Sequence, residues 1–291
     1  MSFWNEIKMQ YRMGGVVEKL IYWNIALFAI PYVLLGIFSL FSIKFGFMQW
    51  VSLSSDPLDL LWKPWSILTY AFFHGGIFHI LFNLIILFFI SRLFLTFFTQ
   101  KQLLNVYLVG ALFAGLIYIF SYLIFPALIS NKATLIGASG AVMAVMFATT
   151  TFAPQMQVRL LLIGNVKLWH IALFYLIIDL ISLSSSNTGG HIAHLGGALF
   201  GYLFVKNLQR GTDITVWFGG FMDYVANGFK TGKKKKHFKK VYHNAAPKAA
   251  PKAPKDKTQQ QIDEILDKIS QSGYDSLTKE EKEFLFKAGK D

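Results

Sequence analysis

Three apolar stretches of the sequence carry hydroxyl, imidazole and amide groups, the side-chain types that hydrolytic chemistry uses. They read HGGIFHILFN at 74–83, GASG at 137–140 and GGHIAHLGGALFG at 189–201. A serine such as Ser139 becomes a nucleophile when a neighbouring base, most often a histidine, takes its proton. The tetrahedral intermediate then needs fixed hydrogen-bond donors. The pattern favours acyl transfer by Ser139, and the alternative is a serine that only packs one helix against another.

Small residues indicate how the serine and a histidine could meet. Residues three and seven apart share one face of a helix, and in the last stretch this face carries His194, Gly197 and Gly201. Gly140 and Ala144 form a matching small face after Ser139. Because small side chains let two helix backbones approach closely, packing these faces together would place His194 beside Ser139. His194 is therefore the expected base.

The first stretch supplies candidate donors for the oxyanion. His79 and Asn83 are four residues apart and share a helix face. We expect the imidazole N–H of His79, the amide of Asn83 and the backbone N–H of Ser139 to stabilise the oxyanion. Two interpretations stay open for Asp179, which either contacts a histidine or is an interfacial acid or packing hydrogen bond.

Metal and cofactor chemistry is not expected. The motif HExxH of zinc proteases needs an acid after its first histidine, and HIAH at 191–194 has none. The chain also has no cysteine, which excludes a disulfide framework and a cysteine nucleophile. The prediction is therefore an enzyme with no metal and no cofactor.

The elements that position these residues are membrane-spanning helices. The chain of 291 residues is 54% hydrophobic and only 15% charged, which is typical of a polytopic membrane protein. Apolar runs near the length of a spanning helix occur at about 20–43, 76–98, 102–126, 136–153, 167–185 and 190–208. The fold class predicted is an all-α bundle of six transmembrane helices.

Lysine and arginine concentrate before span one, around the turn between spans two and three, in the loop between spans four and five, and after span six. Such residues favour the cytoplasmic side, so both termini are expected there. Spans two, four and six then start at the outer face, and their polar residues share one depth. The loop at 44–75 is rich in tryptophan and phenylalanine and is expected in the outer interface, or else it is an ordinary external loop.

Four regions are predicted. Residues 1–19 form an amphipathic cytoplasmic terminus, 20–210 the six-helix domain, 211–257 a basic linker and 258–291 a small helical module. Residues 233–257 hold ten lysines against one aspartate, so the net charge of +12 indicates contact with an anionic inner leaflet and not with nucleic acid. In the module a first helix is expected at TQQQIDEILDKIS and a second from Thr278, with Glu281 completing a capping box. The two helices would form a small hairpin or a docking element.

The three motifs resemble those of the rhomboid family of intramembrane serine proteases, in the right order on spans two, four and six. PWSILTYAFFH at 64–74 is similar to the family's approach to span two, and the resemblance covers about 60–210. It implies a Ser139–His194 dyad, with His79 and Asn83 at the oxyanion site. Because glycines follow at +3 and +7, the family pattern selects His194 as the base.

The remaining matched residues receive supporting roles. The resemblance implies a structural histidine at His74 and a nearby or interfacial histidine at His191, while Gly137 and Gly140 flank the nucleophile. Two departures stand out. Ser66 follows the loop's Trp65 where many members have an arginine, so loop anchoring is expected to differ. Met143 stands where some members place a tyrosine against the catalytic histidine, and altered tuning is expected.

The sequence predicts a serine endopeptidase that cleaves single-pass or polytopic membrane proteins in or next to their transmembrane segments. The enzyme itself is expected in a bacterial inner membrane. Two alternatives are an inactive rhomboid-like protein that binds transmembrane clients, and a transporter, because polar residues within spans also mark transport sites. Inactive relatives typically lose the serine or the histidine, and this chain has both Ser139 and His194.

Overall fold

The computed structural model describes residues 2–161, 163–184, 187–228 and 257–289. The chain divides into two compact units, Met1–Phe229 and Lys230–Asp291. The described residues of each unit are mostly helical. The predicted basic linker at 211–257 falls largely on residues 229–256, which lie outside the described residues.

The first unit contains twelve α-helices in its described part. They are α1 (Phe3–Met13), α2 (Val16–Leu40), α3 (Met48–Val51), α4 (Asp59–Trp62), α5 (Ser66–Thr69), α6 (Ile77–Phe94), α7 (Gln100–Ile124), α8 (Pro126–Ile129), α9 (Ser139–Phe152), α10 (Leu168–Ile181), α11 (Thr188–Gln209) and α12 (Val216–Gly228). Two antiparallel strand pairs, which the sequence did not predict, join β1 (Leu53–Ser54) to β2 (Thr134–Leu135) and β3 (Gln157–Leu160) to β4 (Gly164–Lys167).

Helices α2, α6 and α7 are each long and apolar enough to cross a membrane, and shorter apolar helices occupy Ser139–Phe152 and Leu168–Ser184. A spanning helix needs about 20 apolar residues, and these two are shorter than that. The prediction of an all-α polytopic membrane bundle is confirmed.

Helix α9 lies at the centre of the bundle. It packs against α6, α7, α10 and α11, and nearly all its residues from Gly140 to Thr150 are buried. Its composition explains this position, because a helix of Ala, Val, Met and Gly has no charged face to keep in water and its small residues admit close neighbours. The helix begins at Ser139, three residues later than the predicted span. Gly137 has a φ of +126°, a backbone conformation that residues with a side chain rarely adopt. Because this φ is not helical, the helix does not extend upstream through Gly137.

The aromatic loop is tied to the residues that precede α9. Strand β1 pairs with β2 through Leu53↔Leu135, and Leu53 is fully buried. At the departure from the family pattern, the indole N–H of Trp65 donates to the carbonyl of Trp50 at 2.8 Å. The ammonium of Lys63 donates to the carbonyl of Gln49 at 3.1 Å. These two bonds fasten the loop to itself without an arginine.

The described part of the predicted linker, residues 211–228, contains α12. Its Phe218 is buried, and the preceding Thr215 accepts a hydrogen bond from the amide of Asn105 in α7 at 3.4 Å. Lys101 and Asp223 form an exposed ion pair at 2.8 Å. This helix therefore packs on the membrane bundle through the start of α7.

The second unit contains α13 (Lys257–Ser272) and α14 (Lys279–Ala288). Thr278 is the N-cap of α14, and its hydroxyl and the Glu281 carboxylate form the predicted capping box. Lys268 donates to both carboxylate oxygens of Glu281 at 2.8 and 3.0 Å, and Ile265 of α13 is buried. The helical hairpin predicted from the sequence is therefore present in this part of the chain.

Candidate active site

The approach of α9 to α11 determines what lies next to Ser139. A β-carbon at Gly197 would collide with the carbonyl oxygen of Gly140, and one at Gly201 would collide with the carbonyl oxygen of Ala144. Glycine is the residue that such a backbone approach admits. The contact joins the two small faces that the sequence pairs, and it places the second and third turns of α11, with His194 and Gly197, beside the first turn of α9.

Ser139 is the first residue of α9. The first backbone N–H groups of a helix have no partner inside it, and they carry the positive end of its dipole. Just upstream, a β-carbon at Gly137 would lie 2.6 Å from Nε2 of His79 and 3.8 Å from the Ser139 hydroxyl oxygen. The imidazole of His79 and the hydroxyl of Ser139 therefore border the same space, which the absence of a side chain at Gly137 keeps open.

That space is a cavity of about 450 Å³ between α6, α9, α10 and α11. The residues that line this cavity include His79, Asn83, Ser139, Met143, Tyr175 and His194. Within the described residues, the lining set contains His194 but not His191, although both lie in the first turns of α11. A serine, the predicted base and both predicted oxyanion residues thus share one half-enclosed pocket.

Hydrogen bonds orient the two candidate donors from α6. The backbone N–H of Gly75 donates to Nδ1 of His79 across a long 3.4 Å contact. When Nδ1 accepts, the neutral imidazole carries its proton on Nε2, which is the nitrogen that faces Gly137. One amide N–H of Asn83 donates to the carbonyl of His79 at 2.8 Å, and the amide group has a second N–H. Both side chains can therefore offer a donor to the cavity.

His74 connects the approach to α6 with the nucleophile loop. It is fully buried, and its Nε2 accepts a hydrogen bond from the backbone N–H of Ala138 at 3.4 Å. Burial, followed by the proximity of His79, lowers the pKa of His74 to about 4. A neutral ring at ordinary pH is what this bond requires. Next to it, the backbone N–H of Gly137 donates to the carbonyl of Tyr70 at 2.9 Å.

The structure resolves the two interpretations left open for Asp179 in favour of a histidine contact. Its Oδ1 lies 2.8 Å from Nδ1 of His191 and 2.8 Å from Nδ1 of His194. Asp179 is 3% exposed, so a carboxylate in α10 is buried against two imidazoles of α11. The sequence pointed to Asp179 because an acid within a membrane span is energetically costly. It did not predict contacts with two histidines, because the register of α10 against α11 is not encoded in either segment alone.

Asp179, His191 and His194 could also hold a metal ion, because one ligand atom from each lies within 4.8 Å of the others. Among the described residues they form the group with this geometry. Each Nδ1, however, already meets Oδ1 at hydrogen-bond length. Both imidazoles therefore contact one carboxylate oxygen directly, while Oδ2 of Asp179 has no hydrogen-bond partner among the described residues.

The geometry defines a helical membrane protein whose central cavity contains a serine at a helix N-terminus and a histidine from a neighbouring helix. The profile of the Rhomboid domain matches residues 61–210. The chain therefore belongs to the rhomboid family, a family of serine intramembrane proteases. Residues 252–288 match a second profile, DUF6576, a family of unknown function. No curated protein matches the chain in a sequence search.

Proposed function

We propose that this protein is an intramembrane serine endopeptidase that cleaves membrane-protein substrates with a Ser139–His194 dyad. The observation that supports this most is the common cavity of Ser139, His194, His79 and Asn83. Family membership supports the class of reaction. The glycine contacts between α9 and α11 explain why a serine and a histidine from separate helices can be neighbours.

In the proposed reaction His194 takes the proton of the Ser139 hydroxyl at Nε2, and the serine oxygen bonds to the substrate's carbonyl carbon. The resulting oxyanion accepts hydrogen bonds from the backbone N–H of Ser139, Nε2–H of His79 and the Asn83 amide. His194 then gives its proton to the leaving amine as the carbon–nitrogen bond breaks. Water hydrolyses the acyl-enzyme by the same steps in reverse order, and Ser139 regains its proton.

The substrate must present an extended segment to the cavity. Carbonyls within a membrane helix are hydrogen-bonded in their own segment and shielded from attack. Transmembrane segments with helix-destabilising residues are therefore the expected substrates, and a small residue before the cut follows partly from the family. The cavity is bordered by Phe82 of α6 and Tyr175 of α10, so we propose that the substrate approaches along these two helices.

The proposed location follows from charge. Arg92, Arg159 and Lys206 lie at the ends of spans that would face the cytoplasm, while Ser139 and His194 lie at the opposite ends of theirs. We propose a bacterial inner membrane protein with both termini cytoplasmic and the active site near the outer face. The proposed division keeps 1–19 as the amphipathic terminus, 20–210 as the catalytic domain, 211–257 as the linker and 258–291 as a separate module.

Two further partners are proposed. The lysines of 233–257 are proposed to hold the linker to the anionic inner leaflet, and nucleic acid is not a proposed partner. The module at 258–291 is proposed to dock a protein partner. Truncation after Lys257 separates a regulatory module from a docking module, because only loss of a regulator changes cleavage by the purified enzyme.

Cleavage by the reconstituted protein tests the proposed function. The wild type in proteoliposomes is expected to cut a fusion protein with a helix-destabilised transmembrane segment, and Ser139→Ala is expected to leave it intact. Ser91→Ala is the control, because Ser91 is likewise a helical serine but is fully buried in α6 and does not line the cavity in the described part of the chain. Equal cleavage by wild type and Ser139→Ala would refute the proposed nucleophile.

The two alternative functions, an inactive client-binding protein and a transporter, predict different results in the same proteoliposomes. An inactive client-binding relative retains the fusion protein uncut in both wild type and Ser139→Ala. A transporter moves a solute across the proteoliposome membrane regardless of Ser139, so solute flux is measured in parallel with cleavage. The retained serine and histidine favour the protease over the binding protein.

A further inference from the structure

Asp179 is a buried acid in contact with the predicted base. Its Oδ1 lies 2.8 Å from Nδ1 of His194, and His194 lines the cavity together with Ser139. Asp179 does not belong to the lining residues in the described part of the chain. One ring therefore contacts the acid at Nδ1 and also borders the cavity of the serine.

Burial makes this contact consequential. An ionised carboxylate removed from water is strongly destabilised unless charged or donating groups compensate it. Among the described residues, the groups that compensate the burial of the Asp179 carboxylate are the two imidazoles, and both contact Oδ1. Its Oδ2 has no hydrogen-bond partner among these residues. An ionised carboxylate can only accept, and against it each ring donates from Nδ1–H. A ring that donates from Nδ1 keeps the lone pair of Nε2 for another proton.

We propose that Asp179 is a positioning residue that extends the dyad of Ser139 and His194 into a hydrogen-bonded triad. The inference rests on the proposed function. Asp179 fixes His194 in the Nδ1–H tautomer, directs its Nε2 to the serine and stabilises the imidazolium formed when Nε2 takes the hydroxyl proton. The proton passes only between Ser139, His194 and the leaving amine, and it is not transferred to Asp179.

His191 has a different role in this arrangement. Its ring meets the same oxygen at 2.8 Å and stands edge-on to His194, with ring centroids 5.7 Å apart at 82°. It does not line the cavity in the described part of the chain, so it holds the carboxylate and not the substrate. The buried Met143, where some relatives have a tyrosine against the base, has no strong donor or acceptor. The acid of α10 is thus the polar group that orients His194.

Nitrogen NMR of the full-length protein labelled with ¹⁵N-histidine tests the inference without reference to activity. The chain has seven histidines, and the signal lost in His194→Ala assigns the base. We expect His194 to be protonated at Nδ1 in the wild type and to shift towards the Nε2–H tautomer in Asp179→Asn. An Nε2–H ring in the wild type, or an unchanged Nδ1–H ring in Asp179→Asn, would overturn the assignment.

Kinetics of the same variants provide a second readout. Asp179→Asn is expected to lower kcat by about 10²- to 10⁴-fold with little change in KM, since the binding surface is kept and the tautomer is lost. Asp179→Glu restores a carboxylate and is expected to recover part of kcat, whereas His191→Gln is expected to lower kcat less than Asp179→Asn. Full activity of Asp179→Asn beside an inactive Ser139→Ala would refute the positioning role alone. Full activity of Ser139→Ala would refute the proposed function instead.

Discussion

Gly197 of α11 lies so close to the carbonyl oxygen of Gly140 in α9 that no β-carbon fits between them. One residue before Gly140 is Ser139, and one turn before Gly197 is His194. This backbone contact fixes the separation of the two helices at the level of the site. The catalytic geometry proposed here therefore depends on a residue that has no side chain.

Gly197→Ala is expected to lower both stability and activity. The added methyl group must push α9 and α11 apart, and overpacking of this kind typically destabilises a protein by about 1–3 kcal/mol. Thermal unfolding in detergent and cleavage per folded molecule measure the two effects. Gly36→Ala is the matched control, because a β-carbon at Gly36 in α2 meets nothing within 4 Å. Equal melting temperatures and rates for the two variants would show that the contact is unimportant.

Asn83→Ala is expected to lower kcat by about 10²- to 10³-fold, the typical effect of removing one oxyanion donor, and to leave KM nearly unchanged. Asn207→Ala provides the control, because the Asn207 amide bonds the carbonyl four residues earlier at 2.8 Å as Asn83 does but does not line the cavity in the described part of the chain. A large rise in KM with constant kcat would assign Asn83 to substrate binding instead.

The buried His74 predicts a pH dependence of stability. Because its pKa is lowered to about 4 in the folded protein, the unfolded chain binds more protons between that value and the ordinary pKa of histidine near 6.5. Stability is therefore fully present above about pH 6.5 and declines as the pH falls towards 4. At pH 4.5 the loss from this group is about 2–3 kcal/mol.

Unfolding of wild type and His74→Gln at pH 7 and pH 4.5 measures that contribution. Glutamine can still accept the N–H of Ala138 but does not titrate, so the variant is expected to lose less stability on acidification. Parallel curves for the two proteins would mean that His74 does not carry the acid sensitivity.

Chelators are expected to leave cleavage unchanged, because the proposed steps use Ser139 and His194 without a metal. Cleavage is measured after dialysis against a strong chelator and again after zinc is added. Loss of activity on chelation and its recovery with zinc would contradict the serine mechanism. The cluster of Asp179, His191 and His194 would then be the candidate metal site.

Much of the fold could be predicted because each membrane helix is encoded by its own apolar run. The small residues Gly140, Ala144, Gly197 and Gly201 also gave the contact between α9 and α11, since their spacing on each helix is sufficient to define a face. The capping box at Thr278 and Glu281 is a purely local signal and was found at the expected residues.

What escaped prediction depends on distant segments meeting. The pairing of β1 with β2 joins strands of two residues each, which is too short for any period to be read. The approach of Asp179 to two histidines depends on the rotation of α10 against α11. The bond from Gly137 to the carbonyl of Tyr70 is between backbones, and side-chain patterns do not report it.

Covalent labelling tests the central claim most directly. A fluorophosphonate or chloroisocoumarin reacts with an activated serine, and peptide mapping then identifies the modified residue. We predict a single label on Ser139 in the wild type and in Ser91→Ala, and none in Ser139→Ala or His194→Ala. A label on another residue, or undiminished labelling of Ser139 when His194 is replaced, would contradict activation of this serine by this histidine.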